Sequence, residues 1–364
     1  MPTLRKIVVQ DFRNIAFQEI EFSPNVNCIS GSNGEGKTNL LDAIHYLSMT
    51  KSAFPVQDRY NVRYGASGFV LAGTYSMPSG VESRFSVKVS QGEKKFLRDD
   101  KPYERISDHI GLLPIVMISP GDISLVSDSG EERRRFTNAV LSQMDREYLR
   151  TLQQYNRLLL QRNRLLREGT ADEGLLSVID ERMDACAVPL AQSRRLFVQD
   201  LSPIVAEYYR LISGGAEKVA IDYKTDLDKG SLKEMFRERL EKDLALGYTG
   251  AGLQRDELVF SLDSHPIRRA GSQGQQKSFL VALKFAQYDI MRKSYGYAPM
   301  LLLDDVFDKL DPERTANLIG MVAGKDFGQI FITDCNKVRL RSIVDSITDE
   351  SAYFDTCAGV FTKA

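Results

Sequence analysis

The sequence predicts an α/β fold: a mixed sheet with an antiparallel β-lobe beside it and an inserted helical arm. Three patterns carry that expectation. A strand, a glycine loop and a helix follow one another over residues 26–47, short alternating strands fill 68–118, and a long helical periodicity begins near Glu131. The expected division is 1–130 for the first part of the α/β body, 131–245 for the arm and 246–364 for the rest of the body.

From Lys6 the chain reads as strands: IVVQ, then FQEIEF with apolar residues at alternate positions, then the short buried run VNCIS. Asn39 to Leu47 places Leu40, Leu41, Ile44 and Leu47 on one helical face. FVLAGTY, RFSVKV and LPIVMI follow, separated by Gly and Pro turns such as Met77-Pro78-Ser79-Gly80, and suggest the antiparallel lobe. In the arm, Leu141, Met144, Tyr148, Leu152, Tyr155 and Leu159 recur every three or four positions, with no Gly or Pro from Glu131 until Gly169. A second run, from Leu176 to Leu211, is interrupted by Pro189 and Pro203. Ser202 is a candidate N-cap before Pro203, so two helices or a kinked one are expected. After Gly214, VAIDY, a helix near 232–244, ELVFSL, a helix from Gln275 to Arg292, the strand PMLLLDD, a helix opening at Asp311-Pro312 and QIFIT alternate. That alternation argues for a largely parallel sheet.

With 364 residues, 43% hydrophobic and 27% charged, the chain has apolar material for two or three units. Its 48 Lys+Arg against 49 Asp+Glu exclude a wholesale basic nucleic-acid coat protein, so any DNA contact comes from a local patch. One such patch is 131–168, with nine arginines against five acids. The four cysteines and three histidines are scattered, which argues for reduced thiols in a cytosol and against a zinc cluster. A metal would therefore be held by carboxylate and hydroxyl oxygens. No signal peptide is evident and no apolar run is long enough to span a bilayer.

Gly31-Ser32-Asn33-Gly34-Glu35-Gly36-Lys37-Thr38, followed by Asn39, fits G-x-x-x-x-G-K-[ST]. Glycines at this spacing let backbone N–H groups wrap phosphate oxygens at a helix N-terminus. Lys37 reaches the outer phosphates and the Thr38 hydroxyl is offered to Mg2+. The bland alternative is a glycine turn with a surface lysine, but the motif lies between a strand and a helix, where a phosphate loop belongs. Met300 to Asp305 is an apolar strand ending in two acids. Asp304 can hold the metal, and Asp305 can orient the attacking water or take its proton. Two acids after a strand are by themselves only a turn; the upstream loop turns them into metal and water ligands. Asp304 follows Lys37 by 267 residues, more than a nucleotide-kinase domain uses, so the arm splits the nucleotide-binding body. Gly271-Ser272-Gln273-Gly274-Gln275-Gln276-Lys277 precedes an apolar helix. It offers a second anion-binding helix end, one more than a single phosphate loop needs.

In this order, with Leu310-Asp311 after the two acids, the motifs resemble the ABC-type ATPase heads of SMC-like DNA repair proteins. Asp11-Phe12-Arg13-Asn14, GSNGEGKTNLLDAIHYL, Ser119-Pro120-Gly121-Asp122, Glu132 to Phe136, Arg255-Asp256-Glu257-Leu258, GSQGQQK and LLLDDVFDKLD narrow the resemblance to the RecF family of bacterial recombination-repair proteins, over nearly the whole chain. The resemblance implies a two-lobed head with a helical domain that binds ATP and Mg2+, dimerises around ATP and binds double-stranded DNA. It also implies action in the cytoplasm at gaps and single-strand/double-strand junctions, with RecR and RecO, to promote RecA loading. By motif, Gly31 to Asn39 and Arg13 hold the nucleotide, Lys37 and Asp305 are catalytic, and Thr38 and Asp304 hold Mg2+. Ser272, Gly274 and Gln275 face the γ-phosphate on a partner subunit, and Asp311 lies in the interface loop. The DNA-facing candidates are Lys94, Lys95, Arg98 and Lys101 in the β-lobe and Arg133, Arg134, Arg135, Arg157, Arg162 and Arg164 on the arm.

The chain departs from the family pattern in several places. Gly252-Leu253-Gln254-Arg255-Asp256 stands where Gly-Pro-His-Arg-Asp is usual, and Thr333-Asp334 where transporter-type ATPases carry a switch histidine. No glutamine follows Ile118 as a Q-loop, for which Asp122 is a weak substitute, and Asp305 replaces the usual Glu. These departures imply slow hydrolysis used for timing. A transporter-type ATPase subunit fits poorly with the basic arm, and a small-molecule phosphotransferase leaves the 267-residue split and the S-x-G-Q helix unexplained.

Overall fold

The computed structural model describes residues 1–128, 130–168, 173–215, 217–306, 317, 327–345 and 350–364. The chain begins with β1 (Thr3–Phe12), β2 (Ile15–Glu21), β3 (Val26–Ser30) and α1 (Lys37–Met49), followed by β4 (Gly68–Ser76), β5 (Glu82–Ser90), β6 (Glu93–Arg98), β7 (Lys101–Pro102) and β8 (Ile115–Ile118). Next come α2 (Ser124–Ser127), α3 (Gly130–Met144), α4 (Arg146–Glu168), α5 (Glu173–Ser213), β9 (Val219–Lys224), α6 (Leu232–Leu246), β10 (Glu257–Leu262), β11 (His265–Pro266) and α7 (Ile267–Ala270). The described chain closes with α8 (Gln273–Tyr295), β12 (Met300–Asp304), β13 (Ile330–Asp334), a helix Lys337–Asp345, β14 (Ser351–Cys357) and β15 (Val360–Lys363).

These elements fall into two units, one of residues 1–123, 211–214 and 280–364, the other of 124–210 and 215–279. The sequence division at 131 and 245 therefore moves: the second unit takes in α2 and extends to residue 279, past the start of α8.

The first unit holds two six-stranded sheets. One, ordered β2-β1-β4-β5-β6-β7, is antiparallel; Leu4, Ile7, Val9, Phe69, Leu71, Tyr75, Phe85, Val87 and Phe96 fill its covered face. The other is ordered β15-β14-β3-β13-β12-β8 and is parallel from β14 to β8. Its strands β3, β13 and β12 are buried at every residue, because crossovers cover both faces of a parallel sheet. That rule corrects the placement of LPIVMI. Ile115–Ile118 is four buried residues in a row and pairs with β12, outside the antiparallel lobe.

The second unit carries the converse correction. VAIDY and ELVFSL stand outside the parallel sheet and form, with β11, a separate antiparallel sheet ordered β11-β10-β9. Their burial alternates along the chain, as befits a sheet covered on one face only. The helical run from Glu131 is also two helices, broken at Asp145, whose carboxylate accepts the Glu147 N–H at 2.8 Å as a cap does. The following run is instead one helix of 41 residues with both prolines inside it. Pro189 and Pro203 are exposed, as are Ala185 and Gln199 four residues before them, so the freed carbonyls face water. Ser202 caps no helix; its hydroxyl accepts the Ile221 N–H of β9 at 3.0 Å.

Two basic residues expected to face DNA lie inside this unit. Arg162 is fully buried, with ion pairs to Asp180 at 2.7 Å and Asp243 at 2.8 Å and its guanidinium 4.3 Å from the Phe236 ring centre. Arg133 is buried against Glu257 at 3.1 Å and over Phe260. A buried guanidinium must be paired, and both are. Removing one partner strands the others, so Arg162→Ala should lower the unfolding free energy in urea by about 3–5 kcal/mol.

Candidate nucleotide site

The parallel sheet brings three strand ends together. β3 leads into the glycine loop and α1, β12 ends on Asp304, and β13 ends with Thr333 and Asp334. Thr38 Oγ1 lies 2.8 and 3.0 Å from the two carboxylate oxygens of Asp304. Thr333 Oγ1 donates to the same carboxylate at 2.7 Å and accepts the Asp305 N–H at 3.0 Å. Asp304 is 1% exposed. Burial pushes its pKa up to about 6 and the neighbouring Asp305 charge adds to the rise, against the hydrogen bonds from Thr333 and Thr38 and the charge of Lys37. Asp305 takes a left-handed backbone, φ 45°. Lys37 is buried and folds back over its own loop, donating to the carbonyls of Gly31 at 2.7 Å and Ser32 at 3.1 Å.

The loop is held from two sides. The end of β14 and the turn into β15 grip Glu35: Thr356 Oγ1 and Gly359 N–H donate to its carbonyl at 3.1 and 2.9 Å, and the Ala358 N–H donates to its carboxylate. From the turn between β1 and β2, Asn14 Nδ2 donates to the Gly34 carbonyl at 3.3 Å and Asn14 Oδ1 accepts from Asn39 at 2.7 Å. Gly36 has φ 110° and a Cβ there would meet Asn14 Oδ1 at 2.9 Å. Arg13 stands beside the loop helix as a strut. It pairs with fully buried Asp42 at 2.7 Å and donates to Asn39, Ser52 and Asn61. Burial raises the pKa of Asp42, and the Arg13 charge opposes that rise.

Ser272, Gly274 and Gln275 belong to the second unit. Ser272 N–H donates to Gln275 Oε1 at 2.6 Å and Gln275 N–H to Ser272 Oγ at 3.3 Å, a reciprocal capping box at the start of α8. Gln275 Nε2 donates to Glu217 Oε1 at 2.5 Å. Asp122 closes the turn after β8, accepting the Ser119 N–H at 2.8 Å and pairing with Lys284 at 3.2 Å. Leu310, Asp311 and the helix opening there lie outside the described residues.

Of the other basic candidates, Lys95, Arg98, Lys101, Arg135, Arg157 and Arg164 are exposed. Arg135 pairs with Glu131 and Glu132, Arg164 with Glu168, and Arg134 donates to the Asp256 carbonyl at 2.9 Å. Lys94 is half-buried, tied to Asp58 at 3.1 Å and lying over the Tyr46 ring. The sequence pattern does not mark Thr333, Thr356 and Asp42 as parts of the site, nor Glu35 as the residue through which the loop is braced; only Thr333-Asp334, standing where a switch histidine is absent, points to this strand end.

The RecF/RecN/SMC N terminal domain family matches residues 3–349. A relative from Parabacteroides distasonis, the DNA replication and repair protein RecF, is 42% identical over 351 residues, 96% of each chain. A solved structure of the recombination mediator protein RecF with ATP, in the RecFOR pathway, is 27% identical with TM-score 0.89, covering 100% of this chain and 98% of that one. The Smc head of Pyrococcus furiosus, 16% identical with TM-score 0.60 over 100% of this chain and 96% of that one, shares the fold.

The loop geometry separates two glycines of similar φ. Gly36→Ala drives a Cβ into Asn14 and should cost nucleotide affinity more than tenfold in a fluorescent-nucleotide titration (roughly 1.4 kcal/mol per factor of ten). Gly34→Ala, at φ 85° with nothing within 4 Å, should cost only the backbone strain of about 1 kcal/mol.

Proposed function

The chain belongs to the RecF family, and we propose that it is an ATP-dependent DNA-binding protein of recombinational repair, a dimer that closes on duplex DNA when ATP is bound. The meeting of Thr38 with Asp304 at 2.8 Å, across 266 residues of sequence, carries this reading. A hydroxyl and a carboxylate beside a phosphate loop are hard oxygen donors that fit Mg2+, and the named RecF–ATP complex supports ATP as the nucleotide. Lys37 and the loop N–H groups bind the β- and γ-phosphates, while Asp305 orients the attacking water. Mg2+, held by Thr38 and Asp304, would neutralise charge on the phosphates.

Ser272, Gly274 and Gln275 of a second copy face the γ-phosphate, so ATP joins two copies and its hydrolysis parts them. Asp305 is one methylene shorter than the glutamate common among ABC ATPases, which supports slow, DNA-stimulated turnover that times the clamp. Exposed Lys95, Arg98, Lys101, Arg157 and Arg164 contact phosphates rather than bases. Gaps and single-strand/double-strand junctions are the targets, with RecR and RecO as partners in RecA loading in the cytoplasm. Among the described residues no helix is long and apolar enough to cross a membrane.

Light scattering tests the clamp. Asp305→Asn with ATP and Mg2+ should form a dimer that ADP does not support, and Lys37→Ala should stay monomeric; a monomer under every condition with ATP bound would overturn the reading. In a separate titration of duplex binding against salt, Lys95→Ala with Lys101→Ala should lower the slope by about 0.9 for each phosphate that is no longer neutralised.

A further inference from the structure

Between α1 and β4 the chain carries Arg59-Tyr60-Asn61-Val62-Arg63-Tyr64, two Arg-Tyr pairs four residues apart. The aromatic rings nearby in sequence and space, Phe12, Tyr46 and Phe69, pack edge to face in the core. Tyr60 and Tyr64 do the opposite, at 63% and 100% exposed.

The backbone that presents them is pinned. Arg13 N–H donates to the Asn61 carbonyl at 2.7 Å, Arg63 N–H to the Asp11 carbonyl at 2.8 Å, and Phe12 bridges Val62. Asn61, between the tyrosines, is fully buried and accepts from Arg13 Nε at 3.2 Å. With the backbone beneath them already ordered, stacking costs only the side-chain rotamer freedom of the two rings.

The charge around them is positive on balance, although Arg63 is itself paired with Asp11 at 3.1 Å. Asp58 is the sole acid from residue 51 to 67, against Lys51, Arg59 and Arg63. Its carboxylate is taken up by the Tyr46 hydroxyl at 2.7 Å and Lys94 at 3.1 Å. The Arg59 guanidinium lies 4.7 Å from the Tyr60 ring centre, leaving a cation beside a π-face. Aromatic faces beside a cation suit a strand of unpaired bases: each ring takes a base and Arg59 a phosphate. The bases of a duplex are already stacked on one another and offer no free face.

We infer that Tyr60 and Tyr64 form a stacking platform for unpaired bases of single-stranded DNA. This deepens the reading of the protein as one that binds DNA at junctions and rests on it: the platform takes the single-stranded side. The turn Asp11–Asn14 that pins the platform also holds the glycine loop through Asn14 and Gly34, so the strand would be gripped next to the nucleotide.

The chain has no tryptophan, so Tyr64→Trp makes the platform its own reporter. On the full-length protein, oligo(dT) should quench the emission of that tryptophan, whereas an abasic oligonucleotide of equal length, bound to saturation, should not. Tyr60→Ala with Tyr64→Ala should weaken oligo(dT) binding about tenfold or more, with the paired Phe substitutions keeping most of it. Blunt-duplex affinity should not move. Unquenched emission at saturating oligo(dT), no oligo(dT) binding by the unaltered protein, or equal affinity in the alanine variant would each overturn the platform; the last would leave the rings to a protein partner. Loss of duplex binding by the unaltered protein would overturn the clamp itself, which separates the two failures.

Discussion

A carboxylate that is 1% exposed cannot stand unpaired, and the head is arranged around satisfying Asp304. Thr38 and Thr333 supply the hydroxyls, one from the helix after the glycine loop and one from the end of β13. Both reach it because β3, β13 and β12 are parallel neighbours whose ends share one edge of the sheet. The register Asp304 to Thr333 and Thr333 to Ile29 decides whether the loop, the acid and the switch-position threonine can meet. A slip of one residue in β12 that brought Leu303 to this position would turn Asp304 to the opposite face and leave Thr38 facing an apolar side chain.

The loop that depends on this edge is braced more than a glycine turn requires. Glu35 is gripped through both its carbonyl and its carboxylate by residues 356–359, and Asn14 spans Gly34 and Asn39. Fixing the loop in advance means that phosphate meets N–H groups already ordered, so binding loses little to conformational entropy. The start of α8 shows a contrasting economy. Its donors are satisfied internally by Ser272 and Gln275, and in the proposed dimer these bonds would be exchanged for the γ-phosphate of a second copy.

How much of this the sequence disclosed varies with the kind of constraint. The glycine loop was legible because phosphate binding demands glycines and a lysine at fixed spacing, and Thr38 and Asp304 came with it. Strand membership was harder. LPIVMI and VAIDY are both short apolar runs, and only the pattern of burial, continuous in one and alternating in the other, separates a parallel strand from an antiparallel one. Pro189 and Pro203 argued for a broken helix, yet both face solvent, where a lost hydrogen bond is made to water. Charge partners were the least legible. Nothing near Arg162 announces Asp180 or Asp243, so a buried strut read as a surface cation, while the exposed Arg157 carries the same letter.

In the proposed dimer the half-site built on Thr38 and Asp304 is completed by Ser272 of a second copy. Mixing two inactive variants tests it directly. Lys37→Ala spoils the glycine loop and keeps the α8 end, and Ser272→Arg does the reverse, so a mixed dimer contains one intact composite site. ATP turnover recovered on mixing, from two proteins that are inert alone, is the predicted result. Two folded variants that stay inert together, or Ser272→Arg that hydrolyses ATP unaided, would contradict the claim.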